Sequence, residues 1–375
     1  AVASGGDSQK DFTSSGTVAA STAVILNGNG TVSEISVSAA AFSSSSDSIT
    51  VIPGPNGATY ESNDIQSFEY VWDSYNNQYI ALVIGHLWNR KVLYGQAVTV
   101  DNANNTMTAG TKTVIHDDIY GGDVVGSDLG GGKILICYRA VTGYISAAVI
   151  TNTGGGLSKG STINLQTMLG QLNSERIKDL CTDLDTGTSY LLMGSDTVQT
   201  LPRILSITVT GTTPALASSA NMQGDSIRSE NGYDTHGSQD CRIFWNSTHS
   251  KLLVVDIHQR KSTVCTVSGT TVTVPTSITL ATGTSTAYKA RAIEYHPYLG
   301  VYMAVTQNGN DIHMMHATFD GTTFSYPTSS SAAFSLGANS SRYDNQIITS
   351  SVNAGVAVIS CRGEYAFYAN MGTYA

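Results

Sequence analysis

The stretch "EYHPYLGVYMAVTQNGN", Glu294 to Asn310, decides the fold. It contains a β-forming run, a polar turn and a second apolar run, and the stretch "EYVWDSYNNQYIALVIG", Glu69 to Gly85, has the same order. The two stretches share hardly any identities, yet their strand, turn and strand fall in the same places. This pattern predicts a divergent internal repeat.

Six segments of the chain carry the pattern, and they recur about every 50 to 60 residues, the spacing of propeller blades. The residues at equivalent positions in the second strand of each unit are Tyr79, Lys133, Ser189, Lys251, Val301 and Gly355. A later turn signal, as in "TGTT", "SGTT" and "DGTT" at Gly211, Gly269 and Gly321, supplies the positive φ of a tight hairpin. Each unit therefore predicts four antiparallel strands, which in the fifth unit are 290–296, 301–307, 312–319 and 324–334.

Four-stranded antiparallel units repeated at this spacing predict an all-β fold, a six-bladed β-propeller. The last unit ends at Ala375 without a fourth strand, and "SSDSITVIPG" from Ser45 resembles the fourth strands of other units. We therefore expect residues 45–53 to close the ring against the C-terminal strand. The predicted parts are an arm with a hairpin around "NGNG" at 1–36, a closing strand and linker at 37–66, and blades at 67–121, 122–174, 175–239, 240–289, 290–341 and 342–375.

Composition excludes several classes of protein. The net charge of −9 argues against nucleic acid as a partner, because phosphate contacts need clustered Lys and Arg. No apolar run approaches the roughly 20 residues of a membrane helix, so no membrane insertion is expected. The five cysteines are scattered without CxxC spacing, which favours buried thiols over a disulfide framework. No cofactor motif is present.

The divergent repeat, the hairpin sequence "SGTVAASTAVILNGNGTVSEIS" and the Ser, Thr and Gly-rich composition resemble the β-propeller proteins of tailed-bacteriophage virions, such as tail-fibre and tail-tip components. The resemblance implies a virion location, contact with other virion proteins through residues 1–36, and several copies or a homo-oligomer on the particle. It also implies a host-facing role, in which weak contacts to a cell-surface glycan or protein add up by avidity.

The turns between second and third strands and the crossovers between units lie on one face of such a disc, and this face carries much of the scarce charge. Trp88 at a turn offers a flat surface for a sugar ring, although the favoured interpretation is that Trp88 folds over a neighbouring blade. The candidate binding residues are His86, Trp88, Asn89, Arg90, Arg228, Glu230, Tyr233, Asp234, His236, His258, Arg260 and Arg362.

Few acidic residues are available for catalysis, and we expect no enzymatic activity and no catalytic residue. The alternative of a glycoside hydrolase would draw its paired carboxylates from Asp117, Asp118 and Asp123, or from Asp225 with Glu230. Asp234 and Asp240 could gather a hard cation, but a solvated loop is favoured, and no metal site is predicted.

The sequence thus favours a structural virion component that acts in host attachment through one face of a propeller. The alternatives are a purely structural tail or capsid-decorating protein and a glycan-cleaving propeller enzyme.

Overall fold

The structure is a computed structural model, and its described residues form strands and the turns between them. No helix that could span a membrane occurs among them. The described residues are 13–14, 24–26, 31–34, 42–44, 65–87, 90–101, 106–140, 143–154, 156–165, 175–195, 203–222, 241–256, 261–275, 279–280, 289–296, 300–308, 311–325, 331–335, 343–349, 355–362 and 366–374.

Four short strands precede the blades. They are β1 (Thr13–Ser14), β2 (Val24–Leu26), β3 (Thr31–Glu34) and β4 (Phe42–Ser44). The first three form a sheet of their own, in which β3 pairs antiparallel with β2 and parallel with β1. β2 and β3 lie on either side of the "NGNG" stretch.

Five blades follow, each an antiparallel sheet of consecutive strands. Blade 1 contains β5 (Ile65–Asp73), β6 (Gln78–Leu87), β7 (Arg90–Asp101), β8 (Thr106–Ala109) and β9 (Thr113–Asp117). Blade 2 contains β10 (Ile119–Gly130), β11 (Lys133–Ala140), β12 (Ile145–Asn152) and β13 (Leu157–Asn164). Blade 3 contains β14 (Glu175–Asp183), β15 (Thr188–Ser195), β16 (Arg203–Thr210) and β17 (Thr213–Asn221).

Blade 4 contains β18 (Cys241–Asn246), β19 (Lys251–Asp256), β20 (Lys261–Ser268), β21 (Thr271–Thr273) and β22 (Thr279–Leu280). Blade 5 contains β23 (Lys289–His296), β24 (Val301–Asn308), β25 (Asp311–Phe319), β26 (Phe324–Ser325) and β27 (Ser331–Ser335). A terminal sheet contains β28 (Tyr343–Thr349), β29 (Gly355–Arg362) and β30 (Ala366–Tyr374), with β4 on its edge.

The first strand of each sheet is its inner strand, and the inner strands contact one another around an axis. β5 lies against β10, β10 against β14, β14 against β18, and β23 against β28, which returns to β5. Blades 4 and 5 meet through Phe244 and Tyr302, whose ring centroids are 5.1 Å apart. The terminal sheet thus lies between blade 5 and blade 1.

Apolar residues alternate along the strands because each blade presents a face to each of two neighbours. In β11, Ile134 and Ile136 pack toward blade 1, whereas Leu135 and Cys137 pack toward blade 3, and all four are fully buried. The alternation explains why the repeat preserves a pattern of apolar positions and hardly any identities.

In blades 1, 3 and 4, the turn after the inner strand is held by a polar side chain at the strand's end. The Asp73 carboxylate accepts hydrogen bonds from the backbone N–H groups of Tyr75 and Asn76, both at 3.1 Å. Asp183 accepts from the backbone N–H of Asp185, and Asn246 accepts from that of His249. This Asx-type turn is the physical basis of the repeated polar motif.

The fold-class prediction is correct for an all-β propeller of antiparallel blades but wrong for six uniform four-stranded blades. Five blades, and not six, are built from consecutive strands, and three of these contain a fifth strand because their outer strand is broken in two. In blade 4 the break follows Val274 and Pro275, and proline has no N–H to donate to a ladder.

The described strand that closes the terminal sheet is β4, which lies within the predicted closing segment 37–66. β4 pairs with β30 through Ser44 and Gly372, Ser43 and Thr373, and Phe42 and Tyr374. The residues expected to do this, 45–53, lie outside the described residues. The fourth strand predicted at 324–334 is likewise divided into β26 and β27, which both pair with β25.

Candidate axial site

Charged side chains are concentrated on the inner strands, although only 13% of the chain is charged. Glu69 lies on β5, Asp179 on β14, Arg242 on β18 and Glu294 on β23. We call these four residues the axial cluster. They come from four different blades, so the fold, and not local sequence, brings them together.

Arg242 is the centre of the cluster. Its Nη1 donates to Asp179 Oδ1 at 3.0 Å and lies 3.5 Å from Glu69 Oε1. Blades 1 and 4 are not neighbours in the ring, so the contact with Glu69 crosses the axis. The backbone N–H of Ile243 donates to Asp179 Oδ2 at 2.8 Å. Asp179 therefore has a hydrogen-bond donor at each carboxylate oxygen.

Burial differs among the four side chains. Glu69, Asp179 and Arg242 are buried, whereas Glu294 keeps partial exposure to solvent. Glu294 Oε1 accepts a hydrogen bond from the backbone N–H of Tyr295 at 3.1 Å. Arg242 Nε is buried without a hydrogen-bond partner, so the guanidinium keeps one unused donor. Of the three residues that carry these carboxyl groups, Glu294 is the one with partial exposure.

The carboxyl groups of the cluster hold protons at unusually high pH. Burial raises the pKa of Glu69 to about 8 and that of Glu294 to about 7, with Arg242 opposing the shift in both cases. Burial also raises the pKa of Asp179, against the opposing charge of Arg242. Burial alone would lower the pKa of Arg242, but the surrounding carboxylates raise it above its ordinary value.

This arrangement can perform acid–base chemistry near neutral pH. Three carboxyl groups around one guanidinium cannot all ionise cheaply, so a proton remains in the cluster under conditions in which an ordinary carboxyl group is ionised. A group whose pKa lies near the working pH is suited to donate and regain a proton.

A second buried ion pair flanks the cluster. Asp123 on β10 is buried, and its Oδ2 lies 3.7 Å from Arg176 Nη1 on β14. Blades 1 to 5 therefore each contribute a charged group from their inner strand. Within the described part of the chain, no three His, Cys, Asp or Glu side chains are close enough together to hold a metal ion.

The residues predicted from sequence to bind a ligand are only partly described. His86 lies on β6 and Arg362 on β29. Arg90 begins β7 and is exposed, and its Nη1 lies 3.7 Å from Asp117 Oδ2. The others fall outside the described residues: Trp88, Asn89, Arg228, Glu230, Tyr233, Asp234, His236, His258 and Arg260.

The structure separates the carboxylates that were considered for glycoside hydrolysis. Asp117 is exposed on β9 and pairs with Arg90, whereas Asp123 is buried and pairs with Arg176. Asp118 lies between β9 and β10 with a φ of 77°. Asp225 and Glu230 lie outside the described residues. None of the four residues of the axial cluster was selected from the sequence.

A sequence signal for the axial cluster did exist. Glu69, Asp179 and Arg242 each precede the turn residue of their inner strand by four positions, and Glu294 precedes His296 by two. A charged residue recurs in these apolar strands at the same distance before the repeated turn. This recurrence predicts that the charged residues line a common axis. The residues predicted to bind a ligand were chosen from turns and crossovers, so charged positions within the inner strands were not among them.

The comparisons with known proteins support the fold alone. No protein-family model matches the chain, and no curated protein is similar to it. The solved structure of AofleA from Arthrobotrys oligospora has a TM-score of 0.52 at 5% identity, covering 85% of this chain and 87% of its own. Periplasmic gluconolactonase PpgL from Pseudomonas aeruginosa has a TM-score of 0.49 at 8% identity, covering 82% and 88%.

A luciferin-regenerating enzyme has a TM-score of 0.46 at 9% identity, covering 83% of this chain and 92% of its own. None of these three proteins is named as a virion component. Two of the three are named as enzymes.

The expectation that the chain is not an enzyme is therefore corrected. It rested on the scarcity of acidic residues, and scarcity is irrelevant when three of them meet around one arginine.

Proposed function

We propose that this protein is a hydrolase that cleaves a saccharide by general acid–base catalysis at the axial cluster. The observation that carries the proposal is the partly exposed carboxyl group of Glu294, whose pKa is raised to about 7, within a cluster that contains the buried Arg242–Asp179 pair. Hydrolysis of a glycosidic bond requires one protonated and one ionised carboxyl group. Two carboxyl groups in different environments, such as those of Glu294 and Asp179, can supply them.

Glu294 is the proton donor in this mechanism, because its pKa keeps a substantial protonated fraction at neutral pH and solvent reaches it. Asp179 is the carboxylate: although burial raises its pKa, Arg242 and the N–H of Ile243 stabilise its ionised form. As the glycosidic C–O bond breaks, its electron pair moves to the leaving oxygen, which takes the proton from Glu294. Water adds to the carbon, and its proton passes to a carboxylate of the cluster.

The test is release of reducing ends from a panel of oligosaccharides and bacterial envelope polysaccharides. Glu294→Gln should lower the rate by about 100-fold or more, the usual contribution of a general acid, in a protein that remains folded. Asp117→Asn, an exposed carboxylate outside the cluster, is the matched control and should keep the wild-type rate. Cleavage that survives Glu294→Gln, or no cleavage of any substrate in the panel, would overturn the proposal.

A second candidate function is host attachment as a component of a tailed-phage virion. It is supported by the small sheet of β1, β2 and β3, which is separate from the blades and suits an anchoring arm. Binding of the purified chain to host cells, lost on Trp88→Ala combined with deletion of residues 225–234, supports this function. Cell binding that both changes leave unaltered counts against it.

A further inference from the structure

Tyr75 is the most exposed of the large apolar side chains that the structure describes. It lies in the turn between β5 and β6, where the inner strand of blade 1 ends, and 72% of it is exposed. A single exposed aromatic ring is ordinary on a protein surface and by itself indicates no site. Tyr75 differs from an ordinary surface ring in how its turn is held and in what lies beside it.

The turn that carries Tyr75 is fixed to two blades by a buried carboxylate. The backbone N–H of Tyr75 donates to Asp73 Oδ1 at 3.1 Å, and Asp73 is fully buried. Asn152 Nδ2 of blade 2 donates to Asp73 Oδ2 at 2.8 Å. The backbone of Tyr75 is therefore in place before any ligand arrives, which lowers the conformational entropy that binding must remove.

The turn of blade 2 between β10 and β11 has no side chains where it passes Tyr75. It contains Gly130, Gly131 and Gly132, and a Cβ added at Gly132 would lie 3.5 Å from Tyr75 Cδ1. At Gly130 and Gly131 an added Cβ would meet no atom within 4 Å. Glycine at these two positions thus relieves no crowding, and it leaves bare backbone next to the ring.

The number of glycines in this turn exceeds what the other blades use. All three have a positive φ, at 74°, 61° and 72°. The corresponding turns of blades 1, 3 and 4 each contain one residue of positive φ, and these residues are Asn77, Gly187 and Ser250. Each additional glycine costs conformational entropy on folding. The effect of the two additional glycines in blade 2 is the bare surface beside Tyr75.

The chemistry of this surface suits a neutral sugar ring. The apolar C–H face of a sugar stacks on an aromatic ring, and its hydroxyl groups bond to backbone groups and to polar side chains such as those of Ser74 and Asn77, which are both exposed. Asp73 and Asp128, the carboxyl groups of the two turns, accept hydrogen bonds from backbone N–H groups. A protein partner would require a larger apolar patch than one ring.

We propose that Tyr75 and the bare turn 130–132 form a subsite for a neutral sugar ring of the substrate. The subsite lies on the face of the disc that carries the turns between first and second strands. Glu69 of the axial cluster lies on the same strand, four positions before Asp73, which is roughly 13 Å of extended chain. A saccharide that reaches both must therefore contain several sugar units, so the substrate is an oligosaccharide or polysaccharide that enters the axis from this face. The role of the ligand as a substrate rests on the proposed function, whereas sugar binding at Tyr75 does not.

The test is isothermal titration of the full chain carrying Glu294→Gln, so that no ligand is cleaved, with cellohexaose, maltohexaose, chitohexaose and glucose. At least one hexasaccharide should bind about 10-fold or more tightly than glucose, because it engages the subsite and the axis together. Tyr75→Ala removes the stacking surface and should weaken this binding by about 10-fold. Tyr75→Phe and Tyr75→Trp keep a flat ring and should keep the affinity. Tyr144→Ala removes a tyrosine that is 40% exposed on the opposite face, and this control should bind as its parent does.

Absence of binding for all three hexasaccharides, or equal binding in Tyr75→Ala and its parent, would overturn the inference. A loss in Tyr75→Phe as large as that in Tyr75→Ala would also overturn it. Hydrolysis assays separate the inference from the proposed function. Tyr75-dependent binding by a wild type that releases no reducing ends contradicts the hydrolase and leaves the subsite. Release of reducing ends from a hexasaccharide with the same KM in Tyr75→Ala as in the wild type contradicts the subsite alone.

Discussion

Arg242 of blade 4 and Asp179 of blade 3 form a buried ion pair, with Nη1 and Oδ1 3.0 Å apart. The same nitrogen lies 3.5 Å from Glu69 Oε1 of blade 1. One guanidinium thereby connects three blades at the axis. Arg242 thus links both a neighbouring blade and an opposite blade through charged contacts.

Removal of the cation should destabilise the protein strongly. Arg242→Met leaves Asp179 and Glu69 buried without their counter-charge, and breaking a buried pair in this way costs about 3–5 kcal/mol. Urea unfolding at pH 7 measures the change. Arg90→Met removes the exposed partner of Asp117 and should cost no more than about 1 kcal/mol. Equal effects of the two substitutions would show that Arg242 is not a centre of stability.

The axial cluster also predicts how stability depends on pH. Burial raises the pKa of Glu69 from 4.5 to about 8 and that of Glu294 from 4.5 to about 7. A raised folded pKa means that the folded state binds more protons, so this stabilisation is fully present below about pH 4.5 and is lost as the pH rises through about 7 and about 8. The urea concentration at the unfolding midpoint should therefore decrease as the pH is raised from 5 to 9.

Glu69→Gln is the variant that isolates this effect, because glutamine remains neutral at every pH. The slope of the urea midpoint between pH 5 and pH 9 should be smaller in Glu69→Gln than in the wild type. Asp320→Asn changes an exposed turn residue and is the control. Its slope between pH 5 and pH 9 should equal that of the wild type. An identical slope in Glu69→Gln would contradict the raised pKa of Glu69.

The packing of blades 1 and 2 depends on a glycine. A Cβ added at Gly126 on β10 would lie 2.5 Å from Val71 Cγ2 and 3.1 Å from Leu82 Cδ1. Gly126→Ala should therefore overpack the interface and destabilise the protein by about 1–3 kcal/mol. At Gly156 an added Cβ meets no atom within 4 Å, so Gly156→Ala should be nearly neutral. Thermal unfolding of both variants checks the contrast.

The repeat of the fold could be predicted from sequence because it has a local cause. Side chains such as Asp73 and Asp183 close the turn by accepting backbone N–H groups, and apolar alternation follows from burial on both faces. The broken outer strands could not be predicted in the same way. Their positions depend on where the outer strand stops pairing with the third strand, as β8 and β9 show on β7. The residue pattern of the outer strand alone does not determine that point.

The axial site could not be assembled from sequence because its members are distant in the chain. Glu69 and Arg242 are 173 positions apart in numbering and meet only because the ring brings β5 and β18 to one axis. Local propensity says nothing about such a contact. The four-residue spacing of Glu69, Asp179 and Arg242 before the repeated turn is visible in the sequence. Which of these charges pair with one another depends on the closure of the ring.

A polar network connects blades 1 and 2 away from the axis. Asp73 is fully buried, and its Oδ2 accepts 2.8 Å hydrogen bonds from Asn76 Nδ2 and Asn152 Nδ2. Asp73→Ala leaves buried donors without their acceptor and should cost about 1–3 kcal/mol. Asp320→Ala removes an exposed turn acceptor that water can replace, so it should cost less. A difference in urea midpoint between the two variants measures the network.

The pairing of β4 with β30 predicts that residues 1–36 and the following strand β4 have separate roles. Deletion of residues 1–36 removes β1, β2 and β3 but retains β4. This truncated protein should stay folded and should be as monodisperse as the full chain. Deletion of residues 1–44 also removes β4 and leaves the backbone N–H and C=O groups of β30 unpaired. An uncovered edge strand templates pairing with another chain, so the longer truncation should associate or aggregate. Light scattering on both truncations at equal concentration distinguishes them, and the same behaviour in both would mean that β4 does not protect the edge.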